Sequence, residues 1–392
     1  MFEHLPWKVE NSLDRFFRNR EPALEIVGTD SPTFLAGLLT QPKVALDEKP
    51  HLVIVADQAA AERLKTSLRF LNPAADPYIL PGFDVGVYSN LHPNRRVTAG
   101  RLRWLWQAQN AKHGDIFIAP VEALIQRTLP YQALSTRTRV FRKTDALPGD
   151  FAAQLESLGY ANVPLVEDVG TFSIRGGIVD VYSPAHDHPV RLELFGDIID
   201  SLRSFDAENQ RGLGDTDHLC VIPAHEVLFT DESRQRAATR FRANLEGRDV
   251  DREEAQALLH HMVQGQYIHG IEFLLSYFYP TPALPTEHFN SGLNVWRLDP
   301  FELERAYDQL LSGSKKDFES SDSQIVRPEM NEVYSSLDAL QFPGESQTIT
   351  LTKVRIGDDS TDGTVAILPV STSDLKEIAA TAKQLAAQAT EL

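Results

Sequence analysis

Gly170-Thr171-Phe172-Ser173-Ile174-Arg175-Gly176-Gly177-Ile178-Val179-Asp180-Val181, followed closely by Val190-Arg191-Leu192-Glu193-Leu194-Phe195-Gly196-Asp197, is the most informative stretch of the chain. Successive side chains of a strand point to opposite faces. The second segment therefore places Arg191, Glu193 and Phe195 on one face and Val190, Leu192 and Leu194 on the other. The aliphatic face is the natural core face, which leaves a phenylalanine among charged neighbours on the side that meets solvent. In the first segment Ser173 and Arg175 fall opposite Phe172 and Ile174, so Arg175 is expected to share a face with Arg191. Two readings follow. An exposed aromatic flanked by arginines has the composition of a protein-binding hot spot. Alternatively, Phe195 tucks under a loop as a satellite core residue and the arginines form surface ion pairs with Glu193 or Asp197. The paired Gly176 and Gly177 suggest a bulge or a close backbone approach.

Outward from this stretch the pattern changes twice. Before it, residues 23–27 are a short apolar run, residues 34–39 have helical character, and residues 51–56 read as a strand. Asp57 sits at an N-cap position, with Ala60, Leu64, Leu68 and Leu71 repeating behind it at helical spacing and Pro73 helping to end the helix. Leu102, Leu105 and Trp106 mark a second helix, and residues 115–119 a strand closed by Pro120. Strands separated by helices imply a parallel sheet with crossovers. From Leu134 short strands and tight turns take over, with one helix over 150–158 stopped by Gly159.

Beyond residue 215 the α/β pattern resumes. Residues 221–229 and 292–298 are strand-like, and residues 253–262 and 301–311 are helical. The organisation predicted is an α/β body that begins with residues 1–132, is interrupted by an α+β insert at 133–215 and is completed by 216–350, with a linker and an Ala-rich helix at 351–392. Residues 313–323 and 356–364, rich in Ser, Asp and Lys or Gly, are expected to be mobile.

A length of 392 residues fits two or three domains. The single cysteine, Cys220, excludes an internal disulfide framework and suits a reducing compartment as a buried small hydrophobe. Residues 1–20 lack the apolar core of a signal peptide and no run is long enough to span a bilayer, so a cytoplasmic location without membrane association is expected. A formal net charge of −17 disfavours a chain devoted to sequence-independent nucleic-acid binding, which relies on a positive surface. Two basic clusters stand out against it: Arg95, Arg96, Arg101 and Arg103, a candidate DNA-contacting set, and Arg137, Arg139, Arg142 and Lys143. Each also reads as an ordinary solvated face.

The common catalytic signatures are missing. GxxxxGK[ST], which cradles phosphates with backbone amides and a lysine, occurs nowhere. After the first apolar strand the chain reads Gly28-Thr29-Asp30-Ser31-Pro32, where an aspartate replaces the cation and a proline removes a donor. Gly28, Asp30 and Ser31 thus form a degenerate nucleotide loop. The strand ending Arg297-Leu298-Asp299-Pro300-Phe301-Glu302 offers one aspartate beside a proline as a magnesium ligand, which is weak. No GxSxG, HExxH or CxxC pattern appears, and His186-Asp187-His188 and His260-His261 lack further ligands at metal-binding spacing. A binding module without cofactor or metal is favoured over an enzyme.

The segments GTFSIRGGIVDV, RLELFGDIIDSLRSFD and Gln210-Arg211 resemble the UvrB-interaction domain of UvrB and transcription-repair coupling factors. Leu80-Pro81-Gly82-Phe83 leading to Tyr88, Ala119-Pro120-Val121-Glu122-Ala123-Leu124-Ile125-Gln126-Arg127, and Gly270-Ile271-Glu272 extend the resemblance over roughly residues 20–310. UvrB carries an intact phosphate loop and a long aromatic hairpin, whereas this chain passes from Tyr88 to Arg95 in a short polar link, so it is more similar to the N-terminal region of the coupling factors. The resemblance implies a degenerate helicase-like (RecA-like) body split by an insert that docks on UvrA, with Arg175, Arg191 and Phe195 at the contact positions. It implies RNA polymerase and DNA as partners only of regions absent from this sequence, and the Ala-rich end resembles the start of the family's next small domain.

Overall fold

A computed structural model describes residues 7–41, 44, 49–89, 91–246, 251–268, 270–320, 328–353 and 364–367. Its strands, in chain order, are β1 Ala23–Val27, β2 His51–Val55, β3 Tyr78–Ile79, β4 Ile116–Pro120, β5 Arg139–Arg142, β6 Ala161–Asn162, β7 Thr171–Arg175, β8 Ile178–Tyr182, β9 Val190–Phe195, β10 Ile198–Phe205, β11 Gly212–Asp215, β12 His218–Val221, β13 Asn294–Leu298, β14 Gln347–Thr352 and β15 Thr364–Ile367. Seven of them form one sheet in the order β15-β1-β14-β13-β2-β4-β3. Every pairing in that sheet is parallel.

Because β13 and β14 lie between β1 and β2, the chain segments before and after the insert share a single sheet. The protein is an α/β body of helicase-like type carrying an α+β insert. Parallel sheets are covered on both faces, so their strands are apolar on both. β2 illustrates this: all five residues are buried, with Leu52 and Ile54 in one core cluster and Val53 and Val55 in the other. The helix Gln58–Leu71 covers the second face through Ala60, Ala61, Leu64 and Leu68, and the Asp57 carboxylate accepts the Ala60 N–H at 2.7 Å as its cap.

The insert is a six-stranded sheet, β11-β10-β9-β8-β7-β6, antiparallel except for β6 beside β7. One face packs Phe172, Val179, Val181, Val190, Leu192 and Ile199 against the helix Phe151–Ser157 and a two-stranded ribbon, β12 with β5. That ribbon extends the unit past residue 215, because β12 returns to pair with β5 at the insert's entry, Val221 opposite Arg139. Residues 222–229 are irregular rather than a strand. They run through the junction of the two units, where the Tyr160 hydroxyl donates to the Ile222 carbonyl at 2.6 Å and the Tyr279 hydroxyl to that of Glu226 at 2.8 Å.

Two other expectations change, and one falls outside the described residues. The Ser- and Lys-rich segment from Gly313 continues a helix, Pro300–Ser320, and residues 321–323 lie outside the described residues. Residues 364–367, expected in a linker, form β15 beside β1. The Ala-rich helix expected from residue 373, and residues 356–363, lie outside the described residues. No helix of the described residues is long and apolar enough to cross a membrane.

His288 ties the body together and should register as acid sensitivity. Its ring is fully buried, with Nδ1 3.0 Å from Gln109 Nε2, which can only donate, so Nε2 carries the proton and donates to the Leu129 carbonyl at 3.0 Å. Burial pushes its pKa down to about 4. Between that value and the unfolded pKa of about 6.5 the unfolded chain binds more protons, so stability falls as pH drops through this window, by up to ~3 kcal/mol. Thermal unfolding followed from pH 7 to pH 5 should show this decline, and His288→Gln should make it shallower.

A candidate protein-docking face

Face alternation in β7 to β10 sorts the insert sheet into an inner apolar face and an outer polar one. Register places Arg175 opposite Ile178, Ile178 opposite Glu193, and Phe195 opposite Ile198, so these side chains share the outer face. Two tight turns end the hairpins here. Gly176 and Gly196 take positive φ, 59° and 62°, which a Cβ would strain, and Leu194 N donates to the Gly177 carbonyl at 2.7 Å. The expected close backbone approach at the paired glycines is thus a hairpin turn against the neighbouring strand. A Cβ at Gly177 would lie 3.1 Å from the Leu194 carbonyl oxygen.

Phe195 is 84% exposed and belongs to no core cluster, which removes the reading of a residue tucked beneath a loop. Ile178 and Ile198 flank it, both more than a third exposed. Sequence reasoning passed over these two isoleucines. The same alternation that marked Phe195 puts Ile178 on the Asp180 side of β8, away from Val179 and Val181, and that signal was available.

The arginines do not pair with Glu193 or Asp197. Both converge on Asp180, a carboxylate with no solvent exposure. Arg191 binds it in bidentate fashion, Nε to Oδ1 at 2.7 Å and Nη2 to Oδ2 at 2.9 Å, and Arg175 adds Nη2 to Oδ2 at 2.7 Å. The Arg191 guanidinium also lies over the Phe205 ring, 4.6 Å from its centroid. Hydrogen bonding to Asp180 first, and the nearby Glu193 charge, raise the Arg191 pKa above its ordinary value. Glu193 is engaged elsewhere, accepting from Ser201 Oγ at 2.8 Å and Arg203 Nη2 at 3.3 Å.

The candidate DNA-contacting cluster separates into distinct roles. Arg101 is not available to DNA: it lies on the buried stripe Thr98, Arg101, Leu105, Ala108 of the helix Arg95–Gln109 and is fully enclosed. There Nε donates to Glu226 Oε1 at 2.7 Å, Nη1 to the Pro81 carbonyl at 3.2 Å, and the guanidinium sits 4.4 Å from the Phe83 centroid. Arg103 is paired with Asp187 of the insert. Arg96 lies 4.0 Å from Asp168 with both side chains largely exposed, and Arg95 is exposed. A phosphate track along this helix loses its central residue.

The loop after β1 uses its polar groups internally. Gly28 N and Thr29 N both donate to the Thr352 carbonyl, at 2.8 and 3.2 Å, and Asp30 forms an ion pair with Lys353 Nζ at 2.8 Å. Ser31 caps the helix Pro32–Leu39 through Phe34 N at 3.4 Å. In the insert, His186 Nε2 accepts the Cys220 N–H at 2.8 Å; burial first, then His218, pushes its pKa down to about 4. Cys220 is buried, and its thiol is pushed up to about 12 by burial.

Residues 142–227 match the family described as the UvrB interaction domain. The chain is similar to the transcription-repair-coupling factor of Myxococcus xanthus, 34% identical over 239 residues, or 59% of this chain and 20% of that protein. It is also similar to that of Haemophilus influenzae, 31% identical over 233 residues, again 59% and 20%, and to that of Escherichia coli, 28% identical over 285 residues, 71% and 24%. The chain spans about a fifth to a quarter of the length of these relatives. In sequence it resembles the N-terminal region of transcription-repair-coupling factors, with residues 142–227 as its UvrB interaction domain.

Proposed function

We propose that this chain is a UvrA-docking adaptor of transcription-coupled nucleotide excision repair, with no ATPase activity of its own. The observation that carries the reading is Phe195, 84% exposed with Ile178 and Ile198 on the strand face that also carries Arg175 and Arg191, in a domain whose family is named for UvrB interaction. An aromatic anchor with arginine neighbours is the usual composition of an interface hot spot. The body acts as the scaffold, and docking requires no nucleotide on this side. Contacts with RNA polymerase and DNA belong to other regions of a coupling factor.

The absence of ATP turnover is supported by the loop at Gly28, Asp30 and Ser31. Its first two amides are spent on Thr352, and Lys353 is held by the loop's own Asp30, a carboxylate that would repel phosphate. The test mixes the purified chain with UvrA without nucleotide and follows co-elution on size exclusion, alongside an ATPase assay of the chain alone with and without DNA. The expected outcome is a complex and no turnover above background. DNA-stimulated turnover abolished by Ser31→Ala would replace the adaptor with a helicase-like enzyme.

A further inference from the structure

Asp180 is buried at the centre of the docking face, and two cations share it. Its carboxylate accepts three N–H bonds, two from Arg191 and one from Arg175. A buried carboxylate is stable only when paired and hydrogen-bonded, and a bidentate guanidinium is its best-matched partner. The 2:1 pairing leaves the triad with a net positive charge. Arg191 is fixed twice over, by Asp180 and by the Phe205 ring. Arg175 is different: its side chain is 48% exposed, and Asp180 is its hydrogen-bonded partner through one nitrogen. A guanidinium has five N–H donors, so most of those on Arg175 remain for a ligand.

We propose that Asp180 is the positioning residue of the docking face, and that it holds Arg175 as a preorganised fork for a carboxylate on the partner protein, next to the apolar cleft that takes Phe195. The inference rests on the UvrA-docking reading above. Register supports the geometry: Arg175 is opposite Ile178 on the outer face, so the fork adjoins the Ile178, Phe195 and Ile198 patch. A protein carboxylate fits better than a phosphate backbone. Backbone binding draws on several cations in a row, whereas Arg203 here is bound to Glu193, and Glu193 lies opposite Ile178.

The two roles of Asp180 predict opposite signs. If the arginines acted only through charge, Asp180→Asn would make the face more positive and strengthen binding to an acidic partner. If Asp180 positions them, the same change weakens binding, by roughly 10- to 100-fold, since the fork is no longer held. Arg175→Lys keeps the charge at a half-exposed position but removes the planar fork, and should cost about tenfold or more with an unchanged melting curve. A double-mutant cycle should show Asp180→Asn costing far less in an Arg175→Ala background, a coupling that general loosening of the sheet would not produce.

The experiment is a titration of UvrA with the full chain and with these variants, with Phe195→Ala as reference. Loss in Asp180→Asn and Arg175→Lys supports the proposal. Unchanged affinity in both, with binding lost in Phe195→Ala, overturns the proposal and leaves the docking reading standing. No binding by the intact chain removes both. Salt-dependent capture of a labelled DNA duplex that is lost in Arg175→Lys, with UvrA affinity unchanged, would assign the face to nucleic acid and also overturn it.

Discussion

Phe195→Ala is expected to weaken UvrA binding by roughly 30- to 1000-fold, about 2–4 kcal/mol, while changing folding stability by no more than about 0.5 kcal/mol. The asymmetry follows from where the side chain sits. In the free protein Phe195 is 84% exposed at the end of β9 and contributes to no core cluster, so truncation opens no cavity. In a complex the same ring would pass from water into a partner cleft, with Ile178 and Ile198 helping to exclude solvent around it. Binding measured by titration and unfolding measured by denaturant together check this. A variant that loses binding and stability in parallel would point to a structural role for the ring instead.

The second large effect is expected on stability and lies at the junction of body and insert. Arg101 and Glu226 form an ion pair at 2.7 Å with side chains 0% and 1% exposed, and Glu226 also accepts from the Thr128 hydroxyl at 2.6 Å. Removing one partner strands the other charge in a dry site. Glu226→Ala or Arg101→Ala should therefore cost roughly 3–5 kcal/mol. Replacing both, Arg101→Met with Glu226→Leu, should recover much of that loss, because the desolvation penalty disappears with the second charge. Comparable losses in the single and double variants would mean that packing, rather than electrostatics, holds the junction. The pair joins the helix Arg95–Gln109, the Pro81–Phe83 turn and the segment leaving the insert, so its loss should also loosen the insert's attachment.

Much of this architecture was legible because its signals are local. β2 and the helix behind Asp57 announce themselves by period and cap, and the outer face of β9 follows from alternation alone. The helix Asp231–Leu245 went unread because it buries few apolar groups, Ala237, Ala238 and Phe241, among four arginines. The helix Pro300–Ser320 was cut short because its last turns are Ser- and Lys-rich and only Ser314 of them is buried. Arg101 was misplaced for a different reason. An arginine at a core position is stable only with an anion beside it, and that anion is Glu226, 125 residues further along the chain. The convergence of two arginines on Asp180 needed the register of three strands, since they come from β7 and β9 on either side of it.

The most direct test of the central claim is a calorimetric titration of UvrA with the intact chain in the absence of nucleotide. Saturable binding that survives omission of ATP is the expected result. No binding, with both proteins folded, would contradict the adaptor function and with it the role assigned to the Phe195 face.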